Sequence, residues 1–395
     1  MRPLRITAYT LTNALGRGNA ASLEALRAGR SGLTPCDFEG AELETWIGRV
    51  EGLEDLPVTG RLSAYDCRNN RLAQLALAQD GFEEACLQAR SRYGADGIGV
   101  FMGTSTSGIE QTERAYRARH GADQPLPDWF DYQHTHNVFS LASYVRDALL
   151  LEGPAQCIST ACSSSAKVFA TAWRHMQAGL CEAAIVGGVD SLCLMTLYGF
   201  NSLQLVSGQP CRPADPERDG INIGEAGGFA LIEWADETDD CLCVLGYGES
   251  ADAYHMSSPH PEGLGAADAM RAALTRAGLN ANTIDYVNLH GTATQANDAA
   301  EDRAVTAVLG TQTPCSSTKG WTGHTLGAAG ITEVGFGCLS IEHGFIPGSI
   351  NTRNVDPAFQ SNVVLENRDT EVSYVMTNSF GFGGSNASLI LGCRQ

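Results

Sequence analysis

Residues 156–167 read Gln156-Cys157-Ile158-Ser159-Thr160-Ala161-Cys162-Ser163-Ser164-Ser165-Ala166-Lys167. An extended, β-branched stretch runs here into a small, Ser-rich segment of the kind that opens a helix. At such a junction, unpaired backbone N–H groups and the positive end of a helix dipole favour thiolate over thiol, and the strand behind holds the sulfur still. The corner implies an α/β chain. Alone it has two readings, a nucleophile or a small apolar filler, and the rest of the chain decides between them.

Two later segments supply what a reactive thiol needs. Tyr286-Val-Asn-Leu-His290-Gly-Thr-Ala-Thr294-Gln-Ala-Asn-Asp298 is an apolar strand ending in a histidine at a Gly turn. Ser316-Ser-Thr-Lys319-Gly-Trp-Thr-Gly-His324-Thr-Leu-Gly-Ala-Ala-Gly330 is a Gly-punctuated loop entering a small-residue helix. Both histidines sit where a buried strand opens into a loop, the usual place for reacting groups in α/β proteins. Of 26 basic residues only Lys167 and Lys319 are lysine, and each lies within five residues of a candidate catalytic side chain. An ammonium is a compact point charge with an adjustable pKa, which the planar guanidinium cannot replace in a tight pocket.

Thr160-Ala-Cys162-Ser-Ser, His290-Gly-Thr-Ala-Thr294, the Lys319 to Gly330 segment and Asn378-Ser-Phe-Gly-Phe-Gly-Gly-Ser-Asn386 together resemble the β-ketoacyl-acyl carrier protein synthases, condensing enzymes of the thiolase superfamily. Arg212-Pro-Ala-Asp215, Arg218-Asp-Gly220, Gly224-Glu-Ala-Gly-Gly228 and Ser250-Ala-Asp-Ala-Tyr-His-Met-Ser-Ser-Pro259 extend the resemblance over essentially the whole chain. It implies a five-layer α-β-α-β-α body built from two duplicated halves, residues 1–240 with the nucleophile and residues 241–395 with the His/Lys/His set and a Gly-rich gating loop. It further implies acyl transfer to Cys162, then decarboxylation of a malonyl-carrier and attack on the acyl-cysteine. His290 and His324 would donate to the enolate oxygen, with Lys319 and its expected partner Glu333 in support. The backbone N–H groups of Cys162 and Phe382 would form the oxyanion hole. Phe380 and Phe382 would gate the site, Thr292 and Thr294 would hold the pantetheine arm, and Thr106 would line the acyl tunnel. No metal is expected, and no cofactor beyond the phosphopantetheine carried by the acyl carrier protein.

The composition agrees. A chain of 395 residues that is 43% hydrophobic can bury two fused cores. No run of 18 apolar residues and no apolar N-terminal stretch occurs, so a cytoplasmic protein without a membrane span is expected. Thirteen cysteines without a C-x-x-C pair point to reduced thiols rather than a disulfide frame or zinc site. The formal charge of −19 argues against nucleic acid. It also means that an acidic carrier protein must find locally concentrated positive charge. Candidate docking clusters are Arg61, Arg68 and Arg71, the region resembling the family's docking helix, and Arg114, Arg117 and Arg119.

Gly97–Gly103, Ala183–Val189 and Gly228–Glu233 read as buried strands, and Arg71–Gln79 as an amphipathic helix. The charged run 233–240 marks a seam before a strand beginning near Cys241. The family's dimeric habit places 126–151 near an interface, in a homodimer or with a second ketosynthase-like subunit. Three departures from the family stand out: Lys167, Glu225, read as neutral, and a divergent region at Asp37–Leu53. They suggest a dedicated pathway, such as an aryl-polyene or polyketide-like lipid, rather than housekeeping synthesis. The alternatives are a chain-length-controlling partner subunit, a thiolase using Cys315 as its second cysteine, a synthase III-type enzyme and a lipid-binding protein.

Overall fold

The computed structural model describes residues 1–395 except Ala122, 237–240 and 394–395. The seam read at 233–240 therefore lies partly outside the described residues. The first half contributes β1 (Leu4–Asn13), β2 (Ile98–Gly103), β3 (Ala155–Ile158), β4 (Ala183–Asp190) and β5 (Ala226–Trp234). The second contributes β6 (Leu242–Ala251), β7 (Tyr286–Asn288), β8 (Pro314–Ser316), β9 (Tyr374–Gly381) and β10 (Ser385–Cys393). Every residue of β2 and β4 is buried, which is why both appear in the sequence as continuous apolar runs rather than alternating ones.

The strand order is β3-β2-β4-β5-β1 in the first half and β8-β7-β9-β10-β6 in the second. Each half pairs its first two neighbours in parallel and the rest antiparallel in the same sequence. The duplication that periodicity leaves invisible is thus explicit in the topology. The halves join through a short antiparallel ladder, Leu4↔Val244 and Arg5↔Cys243.

The helices used below are α1 (Arg68–Leu77), α2 (Phe82–Tyr93), α3 (Ile109–Arg117), α4 (Ser140–Ala148), α5 (Ser164–Gln177), α6 (Leu194–Ser202), α7 (Leu264–Ala277), α8 (Gln295–Leu309) and α9 (Ala329–His343). Helices α1, α2 and α4 cover the outer face of the first sheet, and α7 and α8 cover that of the second. Between the sheets α5 and α9 cross in a shared core. These are five layers, α-β-α-β-α. The crossing is close because Gly330 has no side chain: a Cβ there would lie 2.4 Å from the backbone nitrogen of Ala166. That contact brings the start of α5, with its thiol, against the loop that enters α9. No helix among the described residues is long and apolar enough to cross a membrane.

Candidate active site

Cys162 lies between β3 and α5, directly before the N-cap Ser163, on a backbone bent sharply at Ala161 with φ of 52°. A left-handed Ala costs energy and persists only where surroundings enforce it. Here Ser164 does so, its Oγ accepting from Thr160 N (2.9 Å) and donating to Ala161 O (2.6 Å). Hydroxyl-rich residues after the thiol thus fold the corner that aims it.

The second half delivers both histidines to this corner. His324 Nε2 lies 3.0 Å from Cys162 Sγ, across 162 residues of chain. The rings of His290 and His324 meet edge to face, 5.4 Å between centroids. His290 is held through its backbone: Glu301 on α8 accepts from His290 N (2.8 Å) and Gly291 N (2.7 Å), and Asn378 Nδ2 reaches the same carboxylate at 3.3 Å. Gly291, with φ of 38°, also approaches Ser317 so closely that a Cβ would sit 2.5 Å from that side chain. Lys319 is buried and paired with Glu333 by a short hydrogen bond, and Ser379 Oγ donates to the other Glu333 oxygen at 3.4 Å.

Charge states follow from this packing. Burial, together with the neighbouring Lys319 cation, holds both imidazoles well below the usual histidine range, so both are neutral. His324 Nδ1 accepts from Leu326 N (3.2 Å), which leaves the proton on Nε2, facing the sulfur. Burial pushes the Cys162 thiol up to about 11, opposed by Lys319 and by the backbone N–H of Phe382 directed at the sulfur. Burial likewise raises Glu333 and Glu301 to about 7, with Lys319 pulling each back.

The sulfur and one nitrogen of each ring lie within 4.8 Å of one another, a spacing that could hold a metal ion. The donor set does not suit one: a metal at His324 Nε2 would drive the proton onto Nδ1, against the N–H of Leu326. The site is built from hydrogen-bond donors.

A cavity of about 320 Å³ opens onto the three groups, lined among others by Phe200, Thr292, Thr294 and Phe382. The hydroxyls of Thr292 and Thr294 lie 2.9 Å apart at its wall. Phe382 sits in the β9–β10 turn, stacked on Phe200 of α6 with ring centroids 5.4 Å apart.

The other expected residues are placed as follows. Phe380 is a buried residue of β9, paired with Asn386, that lines the cavity and packs at 5.9 Å on the His290 ring. Thr106 is not among the residues lining the cavity; its hydroxyl is taken by Asp190 at 2.9 Å. Arg68 is buried, its guanidinium gripping both oxygens of Glu225 and one of Glu54, which removes it from any docking face. Arg71 is paired with both oxygens of Asp66. Glu225, beyond Arg68, accepts from the backbones of Val50 and Leu192. Cys315 lies on β8 in the core of the second half, outside the site. Burial holds the Lys167 ammonium below the usual lysine range, with Glu249 opposing and Arg174 adding to the shift. Phe200, Glu301 and Asp190 were missed. The i, i+3 carboxylates Asp298 and Glu301 after the His290 turn were a usable signal, whereas nothing local marks Phe200.

Two family models match the chain, "Beta-ketoacyl synthase, N-terminal domain" over residues 1–238 and "Beta-ketoacyl synthase, C-terminal domain" over 242–353. The 3-oxoacyl-[acyl-carrier-protein] synthase 2 of Vibrio cholerae is 31% identical over 98% of this chain and 98% of its own length. A chain of the solved complex of a ketosynthase, ApeO, with its chain length factor, ApeC, from Xenorhabdus doucetiae superposes with a TM-score of 0.89 at 37% identity, covering 100% of this chain and 98% of that one. A chain of the ishigamide ketosynthase/chain length factor gives 0.88 at 26% identity, with both chains fully covered.

Proposed function

Because the chain belongs to the β-ketoacyl synthase family, we propose that it is a 3-oxoacyl-acyl carrier protein synthase working through Cys162. The observation that carries this reading is the convergence of Cys162, His290 and His324 at one cavity, with both imidazoles neutral and His324 locked as a donor. A chain-length-controlling subunit has no use for such a thiol.

In the first half-reaction the Cys162 sulfur attacks a carrier-bound thioester. A carbon–sulfur bond forms at Cys162, the bond to pantetheine breaks, and the thiol proton ends on the departing pantetheine sulfur. The N–H groups of Cys162 and Phe382 receive the developing oxyanion, a role supported by both lying against the sulfur at which the carbonyl arrives. A malonyl-carrier then enters past Thr292 and Thr294. Its carboxylate leaves as carbon dioxide, and the electron pair becomes an enolate whose oxygen accepts from the two imidazoles. Neutral donors suit this step, since an imidazolium would protonate the enolate. The enolate carbon attacks the acyl carbonyl, Cys162 departs as thiolate and is reprotonated, and a 3-oxoacyl-carrier is released. Lys319, held in place by Glu333, supplies the positive charge that keeps the histidines unprotonated and lowers the cost of the thiolate.

The proposal extends to the surroundings. The halves 1–240 and 241–395 act as nucleophile and donor units, and the protein works in the cytoplasm. The carrier docks on Arg114, Arg117 and Arg119 with Arg61, whose guanidinium donates to the Asp147 and Ala148 carbonyls and keeps its charge, because Arg68 and Arg71 are paired with carboxylates. A second ketosynthase-fold subunit, the same or different, covers the edge strand β3 and the exposed Trp129, Tyr132 and Phe139. The departures at Lys167 and Asp37–Leu53 favour a dedicated lipid or polyketide-like pathway. Incubation with a panel of acyl carriers and malonyl-carrier tests the core claim. Acyl mass should appear on Cys162 and a 3-oxoacyl product should follow, with both abolished in Cys162→Ala; no acyl mass on Cys162 with any starter would overturn it.

A further inference from the structure

Helix α6 is weakly anchored for an element at an active-site mouth. Only Leu197 of its nine residues is buried, and its N-cap Cys193 offers the first turn a sulfur contact with Thr196 Oγ1 at 3.3 Å in place of a side-chain cap. Met195 is exposed, and Tyr198, also exposed, ties the helix to the chain outside it through its hydroxyl, which accepts from Glu42 N at 2.9 Å. A helix start without a cap leaves donors unpaired. Here another helix satisfies them: Glu113 of α3 accepts from Leu194 N at 3.1 Å and Met195 N at 2.6 Å, one with each carboxylate oxygen. At the far end of α6, Phe200 lines the cavity and stacks on Phe382 at an interplanar angle of 26°. Gly383 and Gly384, both at positive φ, follow Phe382 and leave its turn little intrinsic stiffness.

We infer that Glu113 is a positioning residue for the gate: by capping α6 it fixes Phe200, and Phe200 holds Phe382 over the thiol. This rests on Phe382 acting as the gate. The carboxylate touches neither substrate nor sulfur. It stands beside Arg114 on α3, so the helix proposed to receive the carrier is also the helix that holds α6.

Alkylation of Cys162 by iodoacetamide reads the gate without any carrier. Glu113→Ala should raise the alkylation rate constant about five-fold, the factor that corresponds to about 1 kcal/mol of lost capping. The KM for malonyl-carrier should rise more than kcat changes. Phe200→Ala should raise alkylation similarly, and the double variant should add little to Phe200→Ala alone, since both act on one path. Asp302→Ala removes a comparable carboxylate, one that accepts from Gln360 N and Ser361 N, and should lower stability without changing alkylation. Should Glu113→Ala fail to fold, Glu113→Gln retains one acceptor and should give an intermediate rate. An alkylation rate unchanged in the Glu113 variants, or fully additive effects with Phe200→Ala, overturns the inference. Normal gating with no condensation would instead count against the proposed reaction.

Discussion

The two halves repeat one strand order, yet their equivalent corners do opposite things. In the first half, β2 and β4 end at Thr104–Thr106 and Asp190. The buried Asp190 carboxylate gathers Thr104 Oγ1 (2.6 Å), Ser105 N (2.8 Å), Thr106 N (2.9 Å) and Gly327 N (2.5 Å). In the second half, β7 and β9 end at His290 and at the Phe382 turn, where His290 Nδ1 is buried without a partner and a cavity opens. One corner is saturated with hydrogen bonds and stiff; the other leaves polar groups for a substrate to meet. Duplication thus supplied a scaffold twice, and the chemistry settled where the internal hydrogen bonding was left incomplete.

The largest expected contrast comes from truncating each corner. His290→Ala should cut condensation by about 10²- to 10³-fold, the usual cost of losing one preset donor to a developing oxyanion, with little change in unfolding free energy. Asp190→Ala should do the reverse. Stranding several buried donors costs about 3 kcal/mol or more, visible in urea unfolding, while Cys162 alkylation stays within about two-fold. If Asp190→Ala leaves unfolding unchanged, or His290→Ala destabilises as strongly, the division between a stiff and a reactive corner fails.

A second contrast separates a neutral thiol–imidazole pair from an ion pair. With the thiol pushed up to about 11, the thiolate fraction grows as pH rises. Alkylation should therefore accelerate about ten-fold per pH unit between roughly pH 7 and 10. Both imidazoles are held well below 6.5, so no inflection from their titration belongs between about pH 6.5 and 8. Lys319→Met removes the cation that eases thiolate formation and should slow alkylation several-fold at pH 8. A flat profile with an inflection near pH 6 would mean a thiolate–imidazolium pair and would undo the donor role given to His324.

What the sequence made legible was local. Cys162, His290, Lys319 and His324 each stand in a short motif whose turn residues announce a strand end, and the strands between them are continuous apolar runs. What stayed hidden depends on partners far along the chain. Arg68 appears as one charge in a basic helix, yet its fate is set by Glu225, 157 residues away. Phe380 and Phe382 look alike in a Gly-rich run, and only the register of β9 against β10 places one in the wall and the other in the turn. Phe200 and Glu113 carry no local sign at all, because a helix capped from another helix leaves no pattern in either.

The smallest expected effect also rests on a comparison, between the two arginine clusters. Around α1, Arg68 and Arg71 are bound to Glu225, Glu54 and Asp66. On α3, the Arg114 side chain is 55% exposed, and its Glu110 partner stands at 3.8 Å. Exposed pairs at that distance are worth little, so the positive charge on α3 remains largely free to meet an acidic partner. Arg114→Glu with Arg117→Glu should raise the KM for carrier-bound substrate about three- to ten-fold, and the difference should shrink as salt shortens the screening length. A thioester on free pantetheine, which has no protein surface to dock, should show no such change. Arg71→Glu should instead lower stability by breaking its contact with Asp66, leaving the ratio of carrier to free-pantetheine KM unaltered. An equal rise with both substrates in the α3 variant would move the effect from docking to the active site and return the carrier surface to the α1 side.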